Sequence, residues 1–318
     1  MRIVVVGGGS WGTAFAHVLH GGGHEVTLAC RDELQARAIA ETGRNPRYLT
    51  HCDLDGVEAS TIEAAPIDAA ELVVVALPST VYGSVVSALP GRAPVLSLTK
   101  GLDPATGERL STLVRGRPVA VLSGPNIAEE IARDLPAAAV IASDDEQLSL
   151  DLQAAINSAT FRVYVNDDIV GVELCAAAKN VIALAAGGAD GLRLGDNAKA
   201  ALVARGLAEM ARLAVAAGGR EETFSGLAGM GDLVVTCWSK VGRNRRAGEL
   251  IAQGTSQEDA VRQIGMVVEG LTTAPVLRDL SHRLGIELPI TNGVCAVLGG
   301  EPLHELVGSL MRREPTAE

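Results

Sequence analysis

RIVVVGGGSWGTAFAHVL, residues 2–19, decides how the first half of the chain folds. Four aliphatic residues, 3–6, read as a short strand that runs straight into Gly7, Gly9 and Gly12 in GxGxxG register. From Thr13 onward the apolar spacing is helical. Each glycine has a task in such a turn: the tight bend, the close approach of backbone to a pyrophosphate, and the packing of helix on strand. The helix N-terminus then aims amide N–H groups at the phosphates. It is the strand-turn-helix setting that makes this a dinucleotide site. The ribose readout is expected where the second strand ends, at Cys30, Arg31 and Asp32. Arg31 suits the 2'-phosphate of NADP, whereas Asp32 would repel one or could cap the next helix, so NAD and NADP both remain open.

Working outward, apolar runs at 25–30, 71–77, 94–98 and 118–122 give further strands, several ended by Gly, Pro or Ser. Helical patterns separate several of them. Near-continuous apolar strands suit a parallel sheet covered on both faces, and 137–142 is expected to add an edge strand. After Val165 the character changes. Asp167 or Asp168 can cap a helix, and the rest is Ala- and Leu-rich at helical period, with breaks expected at Gly187-Gly188, Gly218-Gly219 and Gly285. The expected fold is therefore an α/β N-terminal Rossmann-like doubly wound sheet, residues 1–166, plus an all-α C-terminal domain, residues 167–318.

Composition excludes several classes. With 47% hydrophobic and 20% charged residues, the 318-residue chain has apolar content enough for two domains and too much for disorder. A net charge of -11 argues against nucleic acid and against an anionic membrane surface. No run approaches a membrane span and no signal peptide is read at the N-terminus, so the cytoplasm is the expected compartment. Five widely spaced cysteines without a CxxC pair read as buried thiols. His17, His20 and His24 share a spacing that can face a metal, but His24 follows three glycines, past the expected helix end, and no metal is expected.

The stretch ELCAAAKNVIAL, 173–184, poses a different question. Glu173 and Lys179 are the only formal charges between Ile169 and Gly188. Lys179 either lays its stem on apolar surface with its ammonium in water, or holds the amine in a partly dry cleft where desolvation fits it for proton transfer.

Taken together, GGGSWGTAFA, NPRYL at 45–49, SLTKGL, SGPNIAEEIA, ELCAAAKNVIALAAG, GDNAKAAL, GLAGMGDLVVTC, GRNRRAG and VVEGLTTA resemble, in order, the bacterial type of NAD(P)-dependent glycerol-3-phosphate dehydrogenase. The resemblance implies reduction of dihydroxyacetone phosphate to sn-glycerol 3-phosphate for glycerophospholipid synthesis, in a cleft between the two domains. It also implies site residues. Ser10, Trp11, Arg31, Ala128, Val267 and Glu269 would contact the dinucleotide. Lys100, Gly124 and Asn126 would line the substrate pocket, with Lys100 also reaching the cofactor. Lys179 matches the catalytic lysine and Asp232 the acid of GxGDL. Arg243 and Asn244 match the pair that meets substrate phosphate and cofactor. Three positions depart from the family pattern: Gly242 where serine is usual, Asn126 where Ser or Thr is common, and Asp32 after Arg31.

The chemistry is consistent with those matches. A ketone that accepts hydride gains negative charge on oxygen, and a positioned ammonium both stabilises that charge and supplies the proton. Arg243, Arg245 and Arg246 form the densest basic cluster of an acidic chain, and Arg243 is favoured as the phosphate ligand. Glu129 and Glu130 are read as an acidic first helical turn, and 144–146 as a loop or cap. The alternatives are a reductase of the same build acting on a hydroxy acid or a ketopantoate-like substrate, and a catalytically silent dinucleotide sensor. A homodimer is expected, but no patch in the sequence marks its interface.

Overall fold

A computed structural model of the chain describes residues 1–304. The last stretch of the expected second domain, 305–318, lies outside the described residues. The first half alternates β1 (Arg2–Val6), α1 (Ser10–Gly21), β2 (Glu25–Cys30), α2 (Glu33–Thr42), β3 (Glu58–Thr61), β4 (Leu72–Val75), α3 (Ser79–Ala88), β5 (Val95–Ser97), β6 (Val119–Ser123), α4 (Ala128–Ile131), β7 (Ala137–Ala142), α5 (Glu146–Ile156) and β8 (Phe161–Asn166). These strands form one sheet in the order β3-β2-β1-β4-β5-β6-β7-β8. Pairing is parallel from β3 through to β6, as βαβ crossovers require. Both faces are buried. Ile3 and Val5 pack with Phe15 and Leu19 of α1, while Val4 and Val6 pack with Tyr82 and Val86 of α3.

One strand expectation needs correction, and two strands go unread in the sequence. β7 is not the edge: it pairs antiparallel with β6 and parallel with β8, which closes that side. Residues 139–142 are buried, so a strand this apolar needs neighbours on both sides. β8 shows what an edge looks like: Phe161 and Val163 point in while Arg162 and Tyr164 face solvent. At the opposite edge β3 has the half-polar sequence EAST, which no periodicity betrays.

The second half is helical: α6 (Ile169–Gly191), α7 (Gly195–Ala216), α8 (Glu222–Ser225), a π-helical turn (Leu227–Gly231) leading into α9 (Asp232–Trp238), α10 (Arg243–Ala252), α11 (Gln257–Ile264), α12 (Glu269–Leu284) and α13 (Pro289–Leu298). Asp168 starts α6, its carboxylate accepting from the N–H groups of Gly171 and Arg220, 2.8 Å each, and from Thr223 Oγ1 at 2.6 Å. α6 is long and apolar enough to cross a membrane, yet 89% of its apolar window is buried inside the fold, where it forms the core of the helical half.

The expected break at Gly187-Gly188 does not occur, because α6 runs through both glycines. A Cβ on Gly187 would stand 1.8 Å from Arg245 O, and one on Gly248 1.9 Å from Leu184 O. The glycines let α6 and α10 cross backbone to backbone, a packing reason that outweighs their poor helix propensity. Gly218 and Gly285 behave as expected, following α7 and α12 at positive φ. The cysteines are free thiols, four of them buried. His17 and His24 face separate backbone carbonyls, Asp53 O and Ala155 O, each at 2.8 Å.

Candidate active site

The glycine turn after β1 is built as its sequence requires. Gly7 takes φ +119°, and a Cβ there would stand 2.4 Å from Ala76 O; one on Gly12 would strike Gly7 O at 1.9 Å. Gly9 is different: nothing stands within 4 Å of where its Cβ would be. That open space beside the start of α1 is a cradle for a pyrophosphate. The turn is braced from behind, where Gly8 O accepts from Gln35 Nε2 at 2.6 Å and from Asn45 Nδ2 at 3.0 Å. Asn45, fully buried in the NPRYL segment, also donates to Thr13 Oγ1. Ser10 Oγ lies 3.8 Å from Met266 Sδ, which brings the segment before α12 over the turn. Trp11 packs edge-on against Phe15 and leaves its indole N–H buried without a partner. Asp32 caps α2 through the N–H groups of Leu34 and Gln35, while Arg31 is exposed at the end of β2.

A second cluster joins the two halves. Lys100 follows β5, Gly124 follows β6, Lys179 stands mid-way along α6, and Asp232 opens α9. Asp232 accepts from Lys179 Nζ at 2.5 Å on Oδ1 and from Lys100 Nζ at 2.6 Å on Oδ2. Lys100 Nζ also donates to Gly124 O at 3.1 Å. Thr236, one turn along α9, donates to Asp232 O and accepts from Lys179 Nζ at 2.8 Å. Ser123 Oγ reaches Asp232 Oδ2 at 3.3 Å. Lys179 is 5% exposed and Asp232 1%, so the solvated-surface reading of Lys179 fails.

Burial sets the electrostatics. Desolvation pulls Lys179 down to about 7 against the attraction of Asp232, and the neighbouring Lys100 adds to the lowering. Burial pushes the other way on Asp232, but the Lys100 and Lys179 ammonium groups outweigh it and hold the carboxyl below its ordinary value. Two ammoniums on one carboxylate leave a positive charge in excess.

The remaining expected residues form a third group beside this one. Asn244 Nδ2 donates to Asn180 Oδ1 at 2.9 Å, and its Oδ1 accepts from Gly270 N, so the start of α10 is tied to the neighbour of Lys179 and to α12. Arg243 Nη1 donates to Val267 O at 3.2 Å. Glu269 accepts from Ser79 N at 3.2 Å and Ser79 Oγ at 2.6 Å, at the start of α3. Burial raises its carboxyl while Ser79 and Arg243 draw it back. Asn126 turns its amide to Ala138 O at 3.0 Å and leaves Oδ1 buried and unpartnered. Ala128 and Arg31 join none of these hydrogen-bonded groups. Ser79, which follows β4 beyond the carboxyl end of the sheet, is where the sequence places a candidate; Thr236, Ser123, Gln35 and Asn45 are not singled out by it, because a lone hydroxyl or amide carries no spacing signal.

Family models cover both halves: the N-terminal model of NAD-dependent glycerol-3-phosphate dehydrogenase matches residues 2–149, and the C-terminal model matches 168–307. The chain belongs to the NAD-dependent glycerol-3-phosphate dehydrogenase family. A glycerol-3-phosphate dehydrogenase [NAD(P)+] from Moorella thermoacetica is 46% identical over 325 residues, 99% of this chain and 97% of the relative. The crystal structure of a glycerol-3-phosphate dehydrogenase from Coxiella burnetii superposes with a TM-score of 0.94 at 37% identity, covering 98% of this chain and 99% of that one. A ketopantoate reductase from Ralstonia eutropha JMP134 shares the fold alone, at 20% identity and a TM-score of 0.61, covering 98% of this chain and all of that one. Gly242 is one of the three positions at which the sequence resemblance implies a departure. It is the N-cap of α10 with no side-chain bond, and a Cβ there would meet Ser239 O and Thr236 O at 3.1 Å each.

Proposed function

We propose that the protein reduces dihydroxyacetone phosphate to sn-glycerol 3-phosphate with NADH or NADPH, supplying the backbone of glycerophospholipids. One observation carries the reading: Lys100 from the sheet half and Lys179 from the helical half converge on the buried Asp232, leaving surplus positive charge where a ketone oxygen must become negative. The family membership supports the same substrate.

The dinucleotide fits the residues present. Gly9 offers open space at the N-terminus of α1, and the bracing of Gly8 O by Gln35 and Asn45 fixes the turn. Gly7, Gly9, Ser10, Trp11 and Gly12 would hold the pyrophosphate side, Arg31 the ribose side, and Ala128, Val267 and Glu269 the remaining walls, with Lys100 and Arg243 where cofactor and substrate meet. When bound, the reduced nicotinamide supplies the hydride. Lys179 gives the proton from Nζ to the carbonyl oxygen as charge develops there. Asp232 and Thr236 aim that ammonium, and Asp232 also fixes Lys100, whose charge stabilises the oxygen electrostatically. Arg243, at the start of α10, takes the substrate phosphate, with Asn244 beside it and Gly124 and Asn126 lining the pocket.

We also place the domain boundary between residues 166 and 167, and read the protein as a cytoplasmic homodimer. Met230, Val234, Trp238 and Val241 expose apolar side chains along the π-helical turn, α9 and the turn after it, which supports an interface there; sedimentation at micromolar concentration tests it. The function is tested by NADH oxidation with dihydroxyacetone phosphate. Failure to turn over that ketone, with turnover of a carboxylate-bearing keto acid, sinks the reading.

A further inference from the structure

A second charge cluster, its two cations buried and its two carboxylates half-buried, lies outside the residues placed in the cleft. Asp190, in the last turn of α6, accepts from Lys199 Nζ of α7 at 3.0 and 2.7 Å and from Arg245 Nη1 of α10. Arg245 Nη2 donates to Glu249 at 3.0 Å, and its Nε donates to Ser239 O at 3.1 Å. Lys199 and Arg245 are 5% and 8% exposed. The Lys199 ammonium stands 5.2 Å from the centre of the Trp238 ring, over the last residue of α9. The cluster thus closes a loop through α9, α7, α6, α10 and back to the turn 239–242.

That turn is the segment joining α9, which carries Asp232 and Thr236, to Arg243 and Asn244 at the start of α10. Its own backbone supplies a single tie within the turn, Gly242 N to Ser239 O at 3.1 Å. The glycine contacts between α6 and α10 already fix the helix axis, so stability alone does not call for a buried ion network, which apolar residues of like volume commonly match. What the network adds is directional: a guanidinium held by Asp190 and Glu249 pins the carbonyl on which the turn closes.

We propose that Asp190 and Arg245 are positioning residues for the phosphate end of the substrate, setting the 239–242 turn so that Arg243 is presented to the phosphate. The inference rests on the reading of Arg243 as the phosphate ligand. Gly242, next to Arg243, brings no side chain to a phosphate, so the placement of the turn matters the more.

Arg245→Lys keeps the charge balance with Asp190 while losing the fork that reaches Ser239 O; Asp190→Asn leaves one of two cations without its partner. Both should raise KM for dihydroxyacetone phosphate on the order of tenfold to 100-fold, as misplaced ligands do. NADH affinity by fluorescence and kcat should stay near wild type. A lowered thermal midpoint with KM unchanged in Arg245→Lys would overturn the proposal, since that is what a purely structural network predicts. Should the wild type fail to turn over dihydroxyacetone phosphate, the proposed function falls, and inorganic phosphate binding measured by calorimetry then reads the inference separately. Weaker phosphate binding in both variants supports it. Equal affinity in wild type and variants, or no binding to the wild type, overturns it.

Discussion

Glu173 and Lys179 lie on the same apolar helix, almost equally buried at 6% and 5% exposure, yet the fold treats their charges in opposite ways. Glu173 is fully answered: Arg109 Nη1 at 2.8 Å, Ser111 N at 2.9 Å and Ser111 Oγ at 2.5 Å all donate to it, fastening α6 to the segment before β6. Burial holds its carboxyl above the ordinary value although Ser111 and Arg109 draw it down, and the carboxylate meets one cation, Arg109, one to one. Among the described residues Lys179 has one carboxylate partner, which it shares with Lys100, and its amine is drawn down to about 7. A buried charge that is balanced fastens two parts of a fold together. One left in surplus is available to a ligand, and near neutral pH it can give up its proton.

Substitutions should separate the two roles. Lys179→Met should cut reduction of dihydroxyacetone phosphate by about 100-fold to 10,000-fold, the usual worth of a positioned acid. NADH affinity, read by fluorescence on the same sample, should persist, and the thermal midpoint should hold or rise because Met fills the stem and removes a desolvated amine. Turnover near wild type with intact binding would return Lys179 to a packing role. Glu173→Ala should do the reverse. It should lower stability by about 3–5 kcal/mol in denaturant titration, toward the smaller figure because Arg109 reaches solvent, with turnover per folded molecule affected far less.

Arg243→Ala should cost about 2–4 kcal/mol in kcat/KM, expressed mainly in KM for the ketone, if its bonds to phosphate are largely desolvated. Arg246→Ala, exposed like Arg243 but a turn further from the start of α10, should cost far less; equal losses would mean a diffuse field and no specific ligand. The pH profile sharpens the comparison further. Reduction needs Lys179 protonated, so kcat/KM should fall about tenfold per pH unit above about 7. The sign for stability follows from the same shift. Unfolded Lys179 binds its proton up to its ordinary 10.5 and the folded form only to about 7, so its drag on stability grows as pH falls through that window and is constant below it. Lys179→Met should therefore gain on the wild type as pH falls from 10.5 toward 7. The smallest effect is expected at Arg31→Ala, which should weaken NADPH several-fold and NADH hardly at all, because only NADPH offers that exposed guanidinium a phosphate. Equal losses for both cofactors would remove Arg31 from the ribose site.

Legibility in the sequence was uneven for physical reasons. The glycine turn was readable because it sits between a strand and a helix whose periodicities are both local. β8 carried a readable alternation, FRVYVN, that the nearby change to helical composition hid, and β3 carried none. Gly187 and Gly188 have the local look of a break, and only the approach of α10 explains why they continue the helix. Lys179 was marked by its isolation among apolar residues, but isolation fits a snorkelling lysine as well as a buried one. Its partners, Asp232, Lys100 and Thr236, lie on other elements far along the chain.

By itself, then, the sequence determined what depends on neighbours along the chain: the strand-turn-helix for a dinucleotide, the switch from sheet to helices after residue 166, and the motif blocks that match the family. The tertiary structure alone decided what depends on convergence: that Lys179 is dry, that Asp232 joins two lysines, that Glu173 meets one cation while Lys179 shares its carboxylate, and that Arg245, held by Asp190, reaches the turn before Arg243. The reason is that burial and charge pairing, unlike periodicity, are set by groups brought together from distant parts of the chain, and a pKa shift exists only once they meet.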